Sequence, residues 1–150
     1  MSRNKLFISL GILIVLGTAL AIYYLRYPLV PKLSINSHVF TYELAVTPME
    51  VTKGLSGHAP LAENEGMLFV FDHKEQFHFW MKDMLFPLDM IWIDDTKIVD
   101  ISKNVPMPIQ GQQLPLYTPK VVVNKVFEVN AGTADRLGFK EGDTVIFLRR

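Results

Sequence analysis

Two carboxylates lie inside apolar runs of this sequence. Asp89 stands between Leu88 and Met90 and shares an alternating face with Ile91 and Ile93, and Glu128 stands between Phe127 and Val129. An acid held among apolar side chains loses the water that would stabilise its charge, which makes both residues candidates for proton transfer or for holding a hard cation. If the strands that carry them approach each other, Asp89 and Glu128 form a paired-carboxylate site for acid–base work. The simpler expectation is that each accepts hydrogen bonds from backbone N–H groups. A second group is His78, Trp80 and Lys82, which alternate along the chain and so point to one side, opposite Phe77, Phe79 and Met81. An exposed Trp between a His and a Lys suits stacking on a sugar or a peptide, with the charged groups fixing its orientation. In the alternative, Trp80 covers the second face of a sheet and Lys82 lies over it.

Other chemistries find little support. His73 and His78 are the only close His pair, a presumed turn separates them, and any third ligand is distant in sequence, so no metal site and no cofactor are expected. Gly54-Leu55-Ser56-Gly57-His58 contains a Ser and a His but lacks the Gly-x-Ser-x-Gly spacing of a nucleophile elbow, and it reads as a loop. The glycines are too scattered for a phosphate-binding loop. Cysteine is absent, which excludes thiol nucleophiles and disulfides.

The elements that must position these residues centre on Gly66 to Asp95. Met67, Phe69 and Phe71 share one face of a strand, and Phe77, Phe79 and Met81 share a face of another beyond the polar Asp72 to Gln76 break. Leu88 to Ile93 carries apolar residues on both faces, the mark of a strand covered on both sides. Before this stretch, Leu33 to Asn36 and His38 to Val46 read as a hairpin with Phe40, Tyr42, Leu44 and Val46 on one face. Thr47-Pro48-Met49-Glu50 then has the cap, the first-turn Pro and the third-position Glu of a helix start, with Gly54 as its stop.

After the Asp94-Asp95 turn, Thr96 to Ser102 is a further strand. Lys103 to Pro119 is a Pro-rich loop of a length that is uncommon inside compact domains. Lys120 to Asn130 is a β-branched strand with Val121, Val123, Phe127 and Val129 on one face, and Thr144 to Leu148 closes the chain. Between those two strands Thr133 caps a short helix that Gly138 ends. Several short strands with two small helices predict a mainly β domain, a compact antiparallel sandwich or a distorted, jelly-roll-like barrel.

At 150 residues and 49% apolar content, the chain has material for one core. Fifteen Lys and Arg balance fifteen Asp and Glu, so no basic field exists to hold nucleic acid. Leu6 to Leu25 carries no charge, and at about 1.5 Å per residue such a helix reaches roughly 30 Å, the thickness of a bilayer core. Residues 1–27 are accordingly expected to be a transmembrane anchor or signal segment, 28–38 a spacer and first strand, and 39–150 the β domain. Ala19-Leu20-Ala21 has the small-x-small form of a cleavage site, but apolar character continues through Leu25 and favours retention. The basic Arg3 and Lys5 keep the N-terminus inside and send the domain out, a single-pass protein at the cell membrane or, after cleavage near Ala21, a secreted or periplasmic one.

Four blocks also match a known pattern in order and spacing: Gly66-Met67-Leu68-Phe69-Val70-Phe71, Phe79-Trp80-Met81-Lys82-Asp83, Pro87-Leu88-Asp89-Met90-Ile91-Trp92-Ile93-Asp94, and Phe127-Glu128-Val129-Asn130-Ala131-Gly132. Over about Val39 to Leu148 the chain resembles the domain of unknown function 192 family. That resemblance implies a compact, mainly β domain found in bacteria and archaea, often behind an export signal, and no established activity. Two departures stand out: Gly54-Leu55-Ser56 where the family usually reads Gly-Leu-Met, and Lys82-Asp83-Met84 where it usually reads Lys-Asn-Thr. Two functional readings follow. One is an envelope accessory module that binds a glycan, peptide or protein partner through His78, Trp80 and Lys82; the other is an envelope hydrolase with Asp89 and Glu128 as acid and base.

Overall fold

A computed structural model describes residues 14–18, 21–22, 30–109 and 111–148. The chain divides into two compact units, Met1–Val30 with Arg150, and Pro31–Arg149. In the first unit residues 14–18 and 21–22 are helical. Among the described residues no helix is long and apolar enough to cross a membrane. Most of the predicted span from Leu6 to Leu25 lies outside the described residues.

The second unit is built on one seven-stranded sheet: β1 (Lys32–Ile35), β2 (His38–Ala45), β3 (Glu65–Glu75), β4 (Leu88–Asp94), β5 (Lys97–Val105), β6 (Val123–Asn130) and β7 (Val145–Leu148). Helix α1 (Pro48–Lys53) joins β2 to β3, and α2 (Thr133–Leu137) joins β6 to β7. In space the strands run β5-β4-β6-β3-β2-β1-β7. The sheet curls until its two edges touch at one end, where Lys97 bridges Thr144 and Val145 N donates to Thr96 O at 2.8 Å. The result is a half-barrel, so the sandwich alternative is corrected: one curled sheet takes the place of two packed ones. The antiparallel expectation also needs correction at β2 and β3, which pair parallel because the α1 crossover returns the chain to the same end of the sheet.

Alternation along the strands divides the core into two. Leu33, Phe40, Leu68, Ile91, Ile93, Phe127, Val129 and Val145 pack inside the curl. Met67, Phe69, Leu88, Met90, Trp92 and Val126 face outward and are covered by Leu55, Phe79, Met81, Met84 and Phe86 from the connecting segments. Leu88 to Ile93 are all buried, as expected of a strand covered on both faces.

Local signals account for the helix ends. In α1, Glu50 N donates to Thr47 Oγ1 at 3.3 Å while Thr47 N donates to the Glu50 carboxylate at 2.9 Å, the reciprocal capping box that the sequence predicts. In α2 the cap is Gly132 rather than Thr133, which is buried as the first helical residue.

The segment 77–81 is not the ladder strand that its alternation predicts. β3 runs on through the polar stretch to Glu75, and Phe79 makes only an isolated bridge to Tyr117. The alternation survives without a ladder, because Phe79 and Met81 are buried while Trp80 is 47% exposed. In β6 the predicted single face is split. Val123 and Val126 face outward, Phe127 and Val129 inward, and Val121 precedes the strand, because the pairing with β3 slips between Val70 and Glu75.

Gly66 sets how closely β3 approaches β6. A Cβ built there meets Phe127 Cε2 at 2.3 Å and the backbone oxygen of Glu128 at 2.7 Å, too close for any side chain. Gly66→Ala is expected to lower stability by roughly 1–3 kcal/mol through overpacking. Urea denaturation would show this as a reduced midpoint with an unchanged slope.

Candidate functional site

Because Val126 faces outward in β6, Glu128 does too. It is directed beneath a cover made by the end of α1, the following turn and the segment 78–84. A cavity of about 60 Å³ lies there, lined by Val51, Gly54, Leu55, Ser56, Phe79, Met84 and Glu128, with His78 and Trp80 at its edge. Glu128 is 4% exposed, and among the described residues its carboxyl has no hydrogen-bond or ionic partner. Burial alone pushes its pKa up to about 8. At neutral pH it is therefore largely a protonated carboxylic acid, able to donate one hydrogen bond and accept others.

Outside the cavity, and sharing Thr52, Lys53, Ser56 and Trp80 with it, runs a groove of about 580 Å³ that adds Pro48, Met49, Lys82 and Asp83. Its walls are held from within. Ser56 Oγ donates to Lys82 O at 2.8 Å and Gly57 N donates to Asp83 O at 2.9 Å, tying the turn after α1 to the turn after Met81. Asp83 sits at φ 55, a left-handed conformation that short polar side chains such as Asp and Asn tolerate. His78 is held by a 2.7 Å contact between its Nδ1 and Thr118 Oγ1.

Residues named from sequence thus meet in one place: Glu128, His78 and Trp80 border the cavity, and Trp80 and Lys82 border the groove. Asp89 does not join them. The register sets Asp89 opposite Val129 and Met90 opposite Glu128, so the two acids point to opposite faces of the sheet and the paired-carboxylate arrangement is ruled out. Asp89 is fully buried and satisfied, Oδ1 accepting from Asn104 N at 2.7 Å and Oδ2 from Ala134 N at 2.8 Å, which supplies the side-chain cap that α2 lacks. His73 is engaged with Asp72 at 2.6 Å and Glu75 at 3.2 Å on the surface, and no group of three metal-binding side chains occurs among the described residues.

Sequence reasoning missed Lys53, Leu55 and the lining role of Ser56 and Met84. The signal lay in the two departures from the family pattern, since Ser56 and Met84 both form the cavity wall. These departures mean that the wall differs in shape and polarity from one built with the usual Met and Thr.

The comparisons agree with this architecture. The family model DUF192, described as Uncharacterized ACR, matches residues 31–147. A protein from Sinorhizobium meliloti 1021, named a candidate transcription regulator, superposes with a TM-score of 0.72 at 32% identity, over 78% of this chain and 92% of that one. A protein of unknown function from Novosphingobium aromaticivorans DSM 12444 gives a TM-score of 0.71 at 31% identity, over 77% of this chain and 84% of that one. No curated protein matches the chain.

The buried acid makes a definite prediction. In the unfolded chain Glu128 loses its proton near the ordinary pKa of about 4.3. The folded protein keeps that proton until about pH 8. Between those values the folded state binds more protons, so stability falls as pH rises, by up to about 1.4 kcal/mol per pH unit, and levels off above pH 8. Glu128→Gln is expected to remove this slope and to be more stable than the wild type at pH 9, measured by urea denaturation across the range. An unaltered slope in the variant would show that Glu128 is not the group responsible.

Proposed function

The chain belongs to the uncharacterised DUF192 family, and from that premise we propose that it is a ligand-binding accessory module of the cell envelope, tethered to the membrane by Leu6 to Leu25. One observation carries the binding reading: Glu128, 4% exposed and with no protein partner among the described residues, lines a small cavity that shares its wall with the groove. A ligand group that hydrogen-bonds Glu128 in that cavity fixes one end of the bound molecule. Trp80, half-exposed at the entrance, offers the rigid aromatic surface that binding sites favour.

The tether is supported by the sequence alone, through twenty consecutive uncharged residues preceded by Arg3 and Lys5. A glycan, peptide or protein of the envelope is then the partner within reach. Balanced formal charge supports a partner other than nucleic acid. The regulator name of the Sinorhizobium protein is not carried over, on that same ground.

Two outcomes test the reading. Phe79 is buried against Phe69 and Trp92 at ring separations of 5.0 and 5.4 Å, so Phe79→Ala is expected to cost roughly 3–5 kcal/mol in urea denaturation. Trp80→Ala is expected to be far milder and to abolish the thermal shift of any ligand found by screening the full chain. Equal and large losses in the two variants would place Trp80 in the core and remove the proposed binding surface. For the topology, a reporter fused after Arg150 should be active only outside the cytoplasm, and cytoplasmic activity would overturn the envelope assignment.

A further inference from the structure

We infer that the ligand of this site is an extended segment of another polypeptide, which pairs its backbone with the free edge of residues 78–80 and places a Ser or Thr side chain in the cavity at Glu128. The inference rests on the ligand-binding reading above and adds the chemical class.

One bridge sets the edge. Phe79 N donates to Tyr117 O at 2.9 Å and Tyr117 N donates to Phe79 O at 2.8 Å, so both backbone groups of Phe79 are engaged on one side. In an extended segment the neighbouring residues present theirs on the opposite side. There His78 and Trp80 offer N–H donors and C=O acceptors, none of them hydrogen-bonded among the described residues. The row ends beyond Trp80, because Lys82 O accepts from Ser56 Oγ and Asp83 O accepts from Gly57 N. His78 and Trp80 border the cavity while no described residue of 111–120 does, so the free edge lies on the cavity side of the segment. An unpaired edge of this kind is a template for a strand from another chain.

The outer groove gives that strand room. Its volume of about 580 Å³ falls within the roughly 300–1,000 Å³ of ligand sites, and it is bordered by Trp80 and Lys82 from one segment and by Thr52, Lys53 and Ser56 from the other. On the second side the amides are occupied, with Gly54 N donating to Glu50 O, Ser56 N to Lys53 O and His58 N to Leu55 O. A guest therefore takes its backbone hydrogen bonds from 78–80 and meets side chains from α1 and its turn.

The guest's side chain follows from the pleat. Residues directly opposite each other in a strand pair project to the same face. Phe79 is buried and lines the cavity, so the guest residue opposite it projects inward toward Glu128, and its two neighbours stand outside beside His78 and Trp80. About 60 Å³ corresponds to roughly two waters at their share of liquid volume, which admits the side chain of Ser or Thr and no large one. A hydroxyl there both donates and accepts, as a protonated carboxyl does. Outside, Trp80 and Met49, 47% and 80% exposed, favour an apolar neighbour.

Free backbone alone is common at sheet edges, and its coincidence with an unpartnered buried acid singles out 78–80. The groove beside β5 also holds an acid, Asp100, but there Lys120 N donates to Oδ2 at 3.0 Å and Lys120 Nζ lies 3.2 Å from Oδ1.

Affinity selection of random heptapeptides on the full-length chain, followed by isothermal titration of the enriched sequences, tests the inference. Enriched peptides should share a Ser or Thr with an apolar residue beside it, and replacing that Ser or Thr by Leu should weaken binding at least about tenfold. N-methylation scanned along the peptide should weaken binding by up to about tenfold at alternate amides only, the signature of a strand pairing through one edge. Amide hydrogen exchange at His78 and Trp80, fast in the free protein, should slow on binding, while exchange at Phe79 changes little. Glu128→Leu should erase the preference for Ser or Thr, Glu128→Gln should keep it, and Lys140→Ala should change nothing. No enrichment would overturn the inference, and a melting shift by cellotetraose or chitotetraose that Trp80→Ala abolishes would then leave the site standing with a saccharide as its ligand. Peptide binding that leaves exchange at His78 and Trp80 unaltered would also overturn the inference, and if it is insensitive to Trp80→Ala as well, the binding site falls with it.

Discussion

A strand buried on both faces has no position at which a carboxylate is cheap, and two neighbouring inner strands of this sheet each carry one. Strands β4 and β6 are neighbours inside the sheet, each paired on both sides, and all of Leu88 to Ile93 and Val126 to Val129 are buried. Everything around Asp89 and Glu128 must either supply hydrogen bonds or leave the group protonated. The fold does the first for Asp89 and the second for Glu128. Asp89 takes two backbone amides, fixing the end of β5 and the start of α2 against the inner face. Glu128 takes none from the protein, and it lines a small cavity. Equal burial with opposite satisfaction is what separates a structural acid from a candidate functional one here.

Retaining Glu128 costs stability as pH rises, because burial disfavours its charged form. Local conflicts of this kind are expected at functional sites, where natural sequences depart from the choice that best stabilises the fold. The rest of the site is correspondingly well fixed. Gly66 brings β3 against Phe127 and the Glu128 backbone, Phe79 is wedged against Phe69 and Trp92, and the turns at Ser56 and Asp83 are tied to each other. A rigid frame around a small polar cavity is a preorganised arrangement, in which a ligand need not order the walls as it enters.

Much of this was legible in the sequence because period-two alternation survives wherever a strand has two covered faces. Met67, Phe69 and Phe71, and Leu88 through Ile93, fall on the faces that their spacing assigns, and the Thr47 to Glu50 signature gives the start of α1. Alternation fails to say whether a neighbouring strand is present, which is why 77–81 reads as a strand and is an extended segment held by one bridge. It also fails across the slip between Val70 and Glu75, so Val123 and Phe127 separate onto different faces. The pairing of Asp89 with Glu128 was beyond the sequence for a simpler reason. Both acids are visible as isolated polar positions, but only the register of β4 on β6 decides whether they share a face. His78, Trp80 and Lys82 were legible as a group, whereas Lys53 and Ser56 joined them only through the return of the chain after α1.

The central claim is that Glu128 is a neutral, unpartnered acid facing an open cavity, and a ¹³C NMR titration of its side-chain carboxyl in the folded protein tests this most directly. A midpoint near pH 8 is the result the structure predicts, with Glu128→Gln identifying the resonance by its loss. A midpoint near the ordinary value of about 4.3 would contradict the account, since it would mean that the carboxylate is solvated or paired in the folded protein.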